Sequence, residues 1–233
     1  MLRHSDNTSH RLLRHPSNTN LHLYHQPAYH GLPLMIEKGP FVEEYLSRLH
    51  RVIERALIHY PRVMAFRVDL NLPRDLELSD YADTNKVISR FIESFCSKIE
   101  YHRTQLREQK RDTRDCKVRY AWAREVGERG RSHYHLVILL NHDAYHRPGR
   151  LQSTRRNLVS RLEEAWASAL GLSVDQVQGL VNITDNATYR IYRDVPGGKV
   201  DELPELFRRA SYLCKVATKS YGDRQRGFDT SRG

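Results

Sequence analysis

The chain has 233 residues, a length at which one domain with an appendage is expected. Lys and Arg outnumber Asp and Glu by 38 to 28, which indicates a cationic surface suited to nucleic acid, although net charge alone leaves a basic protein without such a partner equally open. Three cysteines without a CxxC pair argue against a disulfide framework and favour a reducing cytoplasm, and the longest apolar run, residues 136–140, is too short to cross a membrane.

The first 35 residues differ from the rest of the chain in composition. They hold six of the 13 histidines among Ser, Asn, Pro and Arg, and they lack a sustained apolar period. This composition predicts a disordered basic tail over residues 1–35. The irregular spacing of the histidines favours an arm that touches DNA over an arm that binds metal, and we assign no site to it. Residues 36–233 are expected to form the functional domain.

Apolar periodicity predicts the elements of this domain in chain order. A helical pattern begins at Phe41 and ends before Pro61. An alternating strand follows at 62–73, and then a helix that Asp83 or Thr84 could cap. The remaining predicted elements are a charged extension at 101–115, a hairpin at 118–125 and 133–141, a helix at 153–170 that stops at Gly171, a hairpin at 179–184 and 187–193, and a final helix at 203–220. Short links and alternating faces favour an α+β fold with helices packed on a mostly antiparallel central sheet.

Two histidines stand one residue apart where the most apolar strand begins. Residues i and i+2 of a strand point to the same face, so His133 and His135 present both imidazoles together while Tyr134 turns away. Two neutral imidazoles can hold a divalent cation, and an oxygen ligand would suit Mg²⁺ or Mn²⁺. Glu125 can supply that oxygen, because a hairpin returns the end of the preceding strand beside His133; Glu128, in the turn, is the alternative. Taken alone, histidines at a strand end are more often hydrogen-bonded core residues.

A tyrosine and two lysines share one line of the predicted final helix. Tyr212, Lys215 and Lys219 are spaced at i, i+3 and i+7, nearly opposite the apolar stripe that would dock on the sheet. A tyrosine beside cations can attack a phosphodiester, because positive charge favours the ionised phenol and stabilises charge on the phosphate. For the helix alone, a surface tyrosine with solvated lysines is the better explanation.

The two motifs together resemble a known class of enzymes. The residues HYH at 133–135 ahead of an apolar strand, followed by YLCK at 212–215, resemble the HUH endonucleases that initiate rolling-circle replication, where U is a hydrophobic residue. The segments FRVDLNLP, YAWARE, HYHLVILLN and SYLCKVATK look most like the corresponding segments of the inovirus-type replication proteins and their prophage-encoded relatives. The likeness covers the chain from about residue 40 to about residue 230. Tyr134 is bulkier and more polar than the usual aliphatic residue at U.

The resemblance implies roles for five residues. Tyr212 would be the nucleophile, and Lys215 would position the tyrosine or the scissile phosphate. Glu125, His133 and His135 would bind the catalytic Mg²⁺ or Mn²⁺. The fold implied is a five-stranded antiparallel sheet related to the RNA-recognition, or ferredoxin-like, fold.

The implied activity is that of a single-strand DNA endonuclease that nicks and rejoins an origin through a 5′-phosphotyrosine. Single-stranded DNA or an origin hairpin would lie on a basic face. The residues expected there are Arg67, Arg124, Arg208, Arg209 and Lys219. Tyr221 is the one later tyrosine, nine residues on, which favours a single-tyrosine enzyme. Because the sequence has no GxxxxGK[ST] loop, a host helicase and a host polymerase are the expected partners.

Two alternatives stay open. The first is a regulator that binds DNA on the same fold without cutting it. The second is a transposase or plasmid relaxase of the same chemistry, which would differ in the DNA that it selects.

Overall fold

The structure is a computed structural model, which describes residues 13–73, 81–82, 84–112, 114–127, 130–149, 157–219 and 224–232. The strands in these ranges are β1 Arg14–His15, β2 Asn18–Tyr24, β3 Ala28–Tyr29, β4 Leu32–Pro33, β5 Phe41–Val42, β6 Arg62–Asn71, β7 Arg119–Val126, β8 Ser132–Asn141, β9 Val181–Tyr192 and β10 Phe228–Thr230. The α-helices are α1 Glu43–His59, α2 Asn85–Glu108, α3 Leu158–Leu170 and α4 Leu203–Ala210. Short 3₁₀ helices span Ile36–Lys38, Asp175–Val177 and Ser211–Cys214.

Five strands form the central sheet, in the order β10-β7-β8-β6-β9. Every neighbouring pair is antiparallel. β7 and β8 form the predicted hairpin, with Arg119 opposite Leu139 and Val126 opposite Ser132. These pairings confirm the predicted α+β class and its antiparallel sheet.

Helices cover both faces of this sheet. Met64 and Phe66 belong to the core beneath α2 and α3, whereas Val63 and Ala65 belong to the core beneath α1 and α4. On the α1 face, the side chains of β6 change from apolar to polar at Arg67. At this end of the sheet the α1 face therefore carries polar side chains, whereas the rest of that face packs into the hydrophobic core.

Aromatic side chains on the α2 face fix the end of β6 and the start of β8, the strand that carries His133 and His135. Tyr134 is fully buried, and its ring lies edge-on to the rings of Trp122 and Trp166. The indole N–H of Trp166 donates to the carbonyl of Asn71, at the end of β6, over 2.9 Å. The hydroxyl of Tyr134 donates to the carbonyl of Thr84 over 3.3 Å. The bulky residue between the two histidines thus serves the core and holds its neighbours toward the opposite face.

The predicted helix ends are partly confirmed. The side chain of Thr84 accepts a hydrogen bond from the amide of Lys86 and caps α2, while Asp83 lies outside the described residues. Gly171 ends α3 in the left-handed conformation, with φ of 71°. α2 continues to Glu108, through part of the predicted charged extension. No helix in the described ranges has both the length and the apolar character of a bilayer-spanning segment.

The N-terminal segment differs from the prediction. Residues 13–35, predicted to be disordered, contain β1 to β4, and β2 pairs with β5 through Tyr24 and Phe41. Tyr29 and Leu34 are buried in the core beneath α1. Burial of these few apolar side chains against the domain orders the segment although they are too sparse to show a period. Residues 1–12 lie outside the described part of the chain.

A second difference concerns the pair of strands predicted at 179–184 and 187–193. They form one strand, β9, which pairs with β6 from Leu70 back to Arg62. The register shifts between Phe66 and Val68. A bulge of this kind absorbs extra residues without a turn, which explains why two strand patterns form a single strand.

The predicted final helix also ends early. α4 stops at Ala210, and a 3₁₀ turn then carries Tyr212. The backbone of Lys215 is extended and forms a β-bridge with Phe41, and the amide of Val216 donates to the carbonyl of Pro40 over 2.9 Å. Pairing with Pro40 and Phe41, just before α1, therefore ends the helix, and Tyr212, Lys215 and Lys219 do not share a helical line.

Candidate active site

Strand register brings the three predicted metal ligands to one point. Glu125 lies directly opposite His133 in the β7–β8 pair, and His135 is two residues further along the same face. The Oε2 atom of Glu125 lies 3.7 Å from Nε2 of His133 and 3.6 Å from Nε2 of His135. One ligand atom from each residue falls within 4.8 Å of the others. Glu128, the alternative acid, lies outside the described residues.

The arrangement fits a divalent cation. Two ligands bound at about 2.1 Å lie about 3.0–3.4 Å apart at angles between octahedral and tetrahedral, so the observed 3.6 and 3.7 Å need only a small contraction. Nε2 of His135 is buried, has no hydrogen-bond partner and faces the carboxylate. Two imidazoles and a carboxylate of these residues could therefore bind a metal ion, whose identity the donor set leaves between Mg²⁺, Mn²⁺ and Zn²⁺.

Asp69 orients one of these ligands, and the sequence prediction did not include it in the site. Its Oδ1 accepts a hydrogen bond from Nδ1 of His135 over 2.7 Å, which leaves Nε2 free to coordinate. Nη2 of Arg67 also lies 3.0 Å from the same Nδ1, but a nitrogen that donates to Asp69 cannot accept from Arg67, so we treat this as a close approach. Arg67 itself pairs with Asp69 over 3.0 Å. Arg67 is thus part of the site, where its side chain is 19% exposed.

Tyr212 lies on the same face of the sheet as the cluster. Its hydroxyl is 3.5 Å from Oε2 of Glu125, the oxygen that also faces both imidazoles. Its ring lies edge-on to His135, with centroids 5.4 Å apart. The guanidinium of Arg67 lies 4.9 Å from the ring centroid, and the ammonium of Lys215 lies 3.6 Å from it. The candidate nucleophile therefore lies beside two positively charged side chains and beside Glu125, His133 and His135, the three residues that could bind a cation and that we call the cation cluster. Tyr221 lies outside the described residues.

Two lysines bind the other oxygen of Glu125. Oε1 lies 3.1 Å from Nζ of Lys215 and 3.7 Å from Nζ of Lys219. Burial alone would raise the pKa of Glu125, but the two imidazoles and the ammonium of Lys219 outweigh it and hold the pKa below its usual range. Burial lowers the pKa of Lys219 to about 8, although Glu125 opposes this shift. The carboxylate is thus ionised. Its Oε2 atom faces the two imidazoles, and its Oε1 atom faces the two lysines.

The residues predicted to contact DNA separate into three groups. Arg67 and Lys219 lie within the site, and the side chain of Lys219 has no exposed surface. Arg124 is buried on the opposite face of the sheet, where its Nε donates to Ser132 over 2.9 Å, so its predicted DNA contact does not agree with its position. Arg208 pairs with Glu205 on α4 over 3.0 Å and is 37% exposed. Arg209, the next residue on α4, interacts with the hydroxyl of Tyr189.

Comparison with known proteins places the chain in a family. The family described as YagK/YfjJ C-terminal domain matches residues 24–231. The chain belongs to this family. Two relatives from Escherichia coli strain K12, the uncharacterized proteins YfjJ and YagK, are each 34% identical to it, over 206 and 200 residues. These matches cover 84% and 83% of this chain, and 98% and 95% of the relatives.

One solved structure shows a distant likeness to this member of the YagK/YfjJ family. It is the N-terminal nuclease domain of the minute virus of mice non-structural protein-1, described with Zn²⁺ coordination in its active-site pocket and DNA recognition at the origin of replication. The match covers 81% of this chain and 90% of that chain, at 12% identity and a TM-score of 0.34. This TM-score is too low to support a conclusion about fold or function. The likeness to inovirus-type initiators stays a prediction.

We expect the affinity of this family member for Mn²⁺ to rise steeply from about pH 6 to about pH 8. Burial lowers the pKa of His135, but the carboxylates of Asp69 and Glu125 outweigh it and raise the pKa above 6.5. His135 therefore keeps its proton where an ordinary histidine is neutral, and that proton competes with the cation for Nε2. Calorimetric titration with Mn²⁺ across this range measures the effect. An affinity independent of pH would contradict His135 as a ligand.

Asp69→Asn should weaken Mn²⁺ binding by about 10–100-fold, because the amide no longer offers a charged acceptor to Nδ1 of His135. The same calorimetric titration, at a pH where His135 is neutral, measures the change. Asp194→Asn, at an exposed position after β9, is the matched control and should bind Mn²⁺ like the wild type. Equal affinities of the Asp69 variant and the wild type would show that Asp69 does not orient the ligand.

Proposed function

We propose that the chain is a metal-dependent DNA endonuclease that nicks and rejoins single-stranded DNA at an origin, with Tyr212 as the nucleophile. One observation carries the proposal: the hydroxyl of Tyr212 and both imidazoles converge on the same oxygen of Glu125. A phosphate at that point would contact the attacking oxygen and the metal ligands together. The resemblance to rolling-circle initiators of the inovirus type supports an origin of replication as the target.

The proposed reaction exchanges one phosphate ester for another. Glu125, His133 and His135 would hold a divalent cation, which would supply Lewis-acid stabilisation of the negative charge on a non-bridging phosphate oxygen. The phenolic oxygen of Tyr212 forms a bond to phosphorus, and the bond from phosphorus to the 3′ oxygen breaks. The phenol gives up a proton and the 3′ oxygen takes one up, leaving a 5′-phosphotyrosine and a free 3′-OH. Because no ester is hydrolysed, a later 3′-OH can reverse the step and rejoin the strand.

The side chains around Tyr212 have proposed tasks in this step. Lys215, held at 3.1 Å by Glu125 and lying against the tyrosine ring, would position the ring and bind the scissile phosphate. Arg67, on the same ring and paired with Asp69, would offer a second contact to the phosphate. The free 3′-OH would then serve a host polymerase, with a host helicase to separate the strands.

A covalent-capture experiment tests the proposal without knowledge of the target sequence. The wild-type protein is incubated with a randomised pool of single-stranded oligonucleotides and Mn²⁺, and then denatured in detergent. We expect an adduct that survives denaturation, that EDTA prevents, and whose DNA is joined through its 5′ end. Sequencing the captured ends identifies the preferred nick site.

The absence of any adduct with Mg²⁺, Mn²⁺ or Zn²⁺, in a protein that still binds DNA, would contradict the endonuclease and leave a non-catalytic DNA-binding regulator. Captured ends that map to the termini of a mobile element or to a transfer origin would keep the chemistry and replace the initiator by a transposase or relaxase.

A further inference from the structure

We propose that a second DNA-binding surface lies along the outer edge of the sheet and holds the backbone of a DNA duplex that flanks the nick. This surface, the arginine groove, is formed by Arg48, Arg51 and Arg55 of α1 and by Arg232, which follows β10. The groove has a volume of about 320 Å³ and lies between the helix and the edge strand. The inference rests on the proposed action on DNA, but none of these residues belongs to the cation cluster.

The positive charge of the arginine groove is largely unneutralised. Arg48 pairs with Asp229, and Asp229 also pairs with Arg226 over 2.7 Å. Across the described ranges, no carboxylate lies within ion-pair distance of Arg51, Arg55 or Arg232. Three guanidinium groups, each suited to bind phosphate through paired N–H donors, therefore remain available to a polyanion.

A buried arginine next to the groove also supports the binding of an anion there. Arg119, at the start of β7, is 5% exposed, and its Nε and Nη1 atoms have no hydrogen-bond partner. Its Nη2 lies 3.4 Å from Nδ1 of His59. The strand register sets Thr230 opposite Ala121, which brings Arg232 toward Arg119. Burying unpartnered cationic donors is costly, and an anion in the groove would offset that cost.

The position of the groove suits DNA that also enters the proposed active site. α1 packs on the sheet face that carries the cation cluster. Thr230 of the groove lies opposite Ala121 of β7, and Ala121 is four residues from Glu125 along that strand. Arg119 is six residues from Glu125. At about 3.3 Å per residue, the groove lies about 13–20 Å from Glu125. A duplex that rises about 3.4 Å per base pair crosses this distance in about four to six base pairs.

The side chains of the groove favour a duplex backbone over a single strand. Proteins that hold single strands combine cations with aromatic side chains on which the bases stack. The lining residues that the structure describes include no aromatic side chain. Tyr45 and Phe228, nearby in α1 and β10, are buried and stack on each other at 4.6 Å, so they cannot receive a base. Arginines without an aromatic surface beside them suit contacts to backbone phosphates better than the stacking of unpaired bases.

Fluorescence anisotropy tests this inference by binding and not by cleavage. The probes are a DNA hairpin with a single-stranded tail and the tail alone, titrated without added metal over a range of salt. We expect Arg51→Ala/Arg55→Ala to weaken hairpin binding by about tenfold at 0.1 M salt. The slope of log K against log salt concentration should become about 1.8 less steep, because each of the two lost phosphate contacts on a duplex contributes about 0.9. Binding of the tail alone should not change. Arg107→Ala/Arg111→Ala, with the same sequence spacing and charge change, in the last turn of α2 and just after it, is the control pair and should bind like the wild type.

Three results would overturn the inference: a hairpin affinity and salt slope unchanged in Arg51→Ala/Arg55→Ala, an equal loss in the control pair, or an equal loss for the tail alone. Thermal unfolding of each variant establishes that it is folded. Failure of the groove would leave the covalent adduct of the wild type intact. Failure of the nuclease proposal would remove the adduct and leave the dependence of hairpin binding on Arg51 and Arg55.

Discussion

Tyr212→Phe should abolish the covalent adduct with DNA, lowering its rate of formation by more than about 10⁴-fold. The substitution removes the hydroxyl that lies beside Glu125 and leaves the ring between its neighbours. The contacts of the ring with Arg67, Lys215 and His135 do not require the hydroxyl. We therefore expect unchanged folding, Mn²⁺ affinity and DNA affinity. Denaturing gels measure the adduct, and calorimetry and anisotropy measure the two affinities.

Tyr101→Phe is the control for this experiment. Tyr101 is 62% exposed on α2, which covers the opposite face of the sheet, and its variant should form the adduct at the wild-type rate. An adduct formed by Tyr212→Phe would show that the nucleophile is assigned to the wrong residue. Tyr221, which the sequence offers as the next tyrosine, would then be the residue to replace.

Glu125→Gln should abolish Mn²⁺ binding and also destabilise the metal-free protein, by about 3 kcal/mol. The carboxylate is 3% exposed and is the counter-charge of Lys215 and Lys219. Without it, the buried ammonium of Lys219 loses its counter-charge. Glu125 opposes the effect of burial and holds the pKa of Lys219 at about 8, so in the variant this pKa falls below 8. The destabilisation should therefore shrink as pH rises toward 8, because the variant's lysine gives up its proton first, and should level off above pH 8. Urea unfolding with EDTA at several pH values measures it.

A second substitution separates the two tasks of Glu125. Glu125→Gln/Lys219→Met removes the carboxylate together with the buried cation that depends on it, so the free energy of unfolding should return most of the way to that of the wild type. Mn²⁺ binding should stay lost, because the third ligand is still absent. If Glu125→Gln alone kept both its stability and its Mn²⁺ affinity, Glu125 would be neither a ligand nor a counter-charge.

The ligands that lie on one hairpin were predictable from sequence. The alternation of side chains and the return of the chain through a short turn are local rules, and they are enough to set Glu125 beside His133 and His135. The same alternation sets Arg124 on the face of Trp122, away from Glu125, and its predicted contact with DNA neglected that rule. The site residues that follow local geometry were thus within reach.

Contacts between distant segments were not predictable from a single sequence. Asp69 was not predicted as a site residue, because its hydrogen bond to His135 depends on the β6–β8 register, which joins residues 66 positions apart in the chain. The end of α4 depends on the bridge from Lys215 to Phe41, and an apolar period of helical spacing continues past it. Tertiary pairing overrode local propensity there, as it did in the N-terminal strands.

Glu125 contacts both the two imidazoles and the two buried lysines, and this double contact couples positions 125 and 219, which are far apart in the chain. A descendant of this protein that gave up the acid at 125 would retain an ammonium group at 219 in a space with no surface exposure. Substitution of one position would therefore create selection for substitution of the other. Within the family, relatives that lack the acid should carry an uncharged residue in place of this lysine, and relatives that keep the lysine should keep the acid.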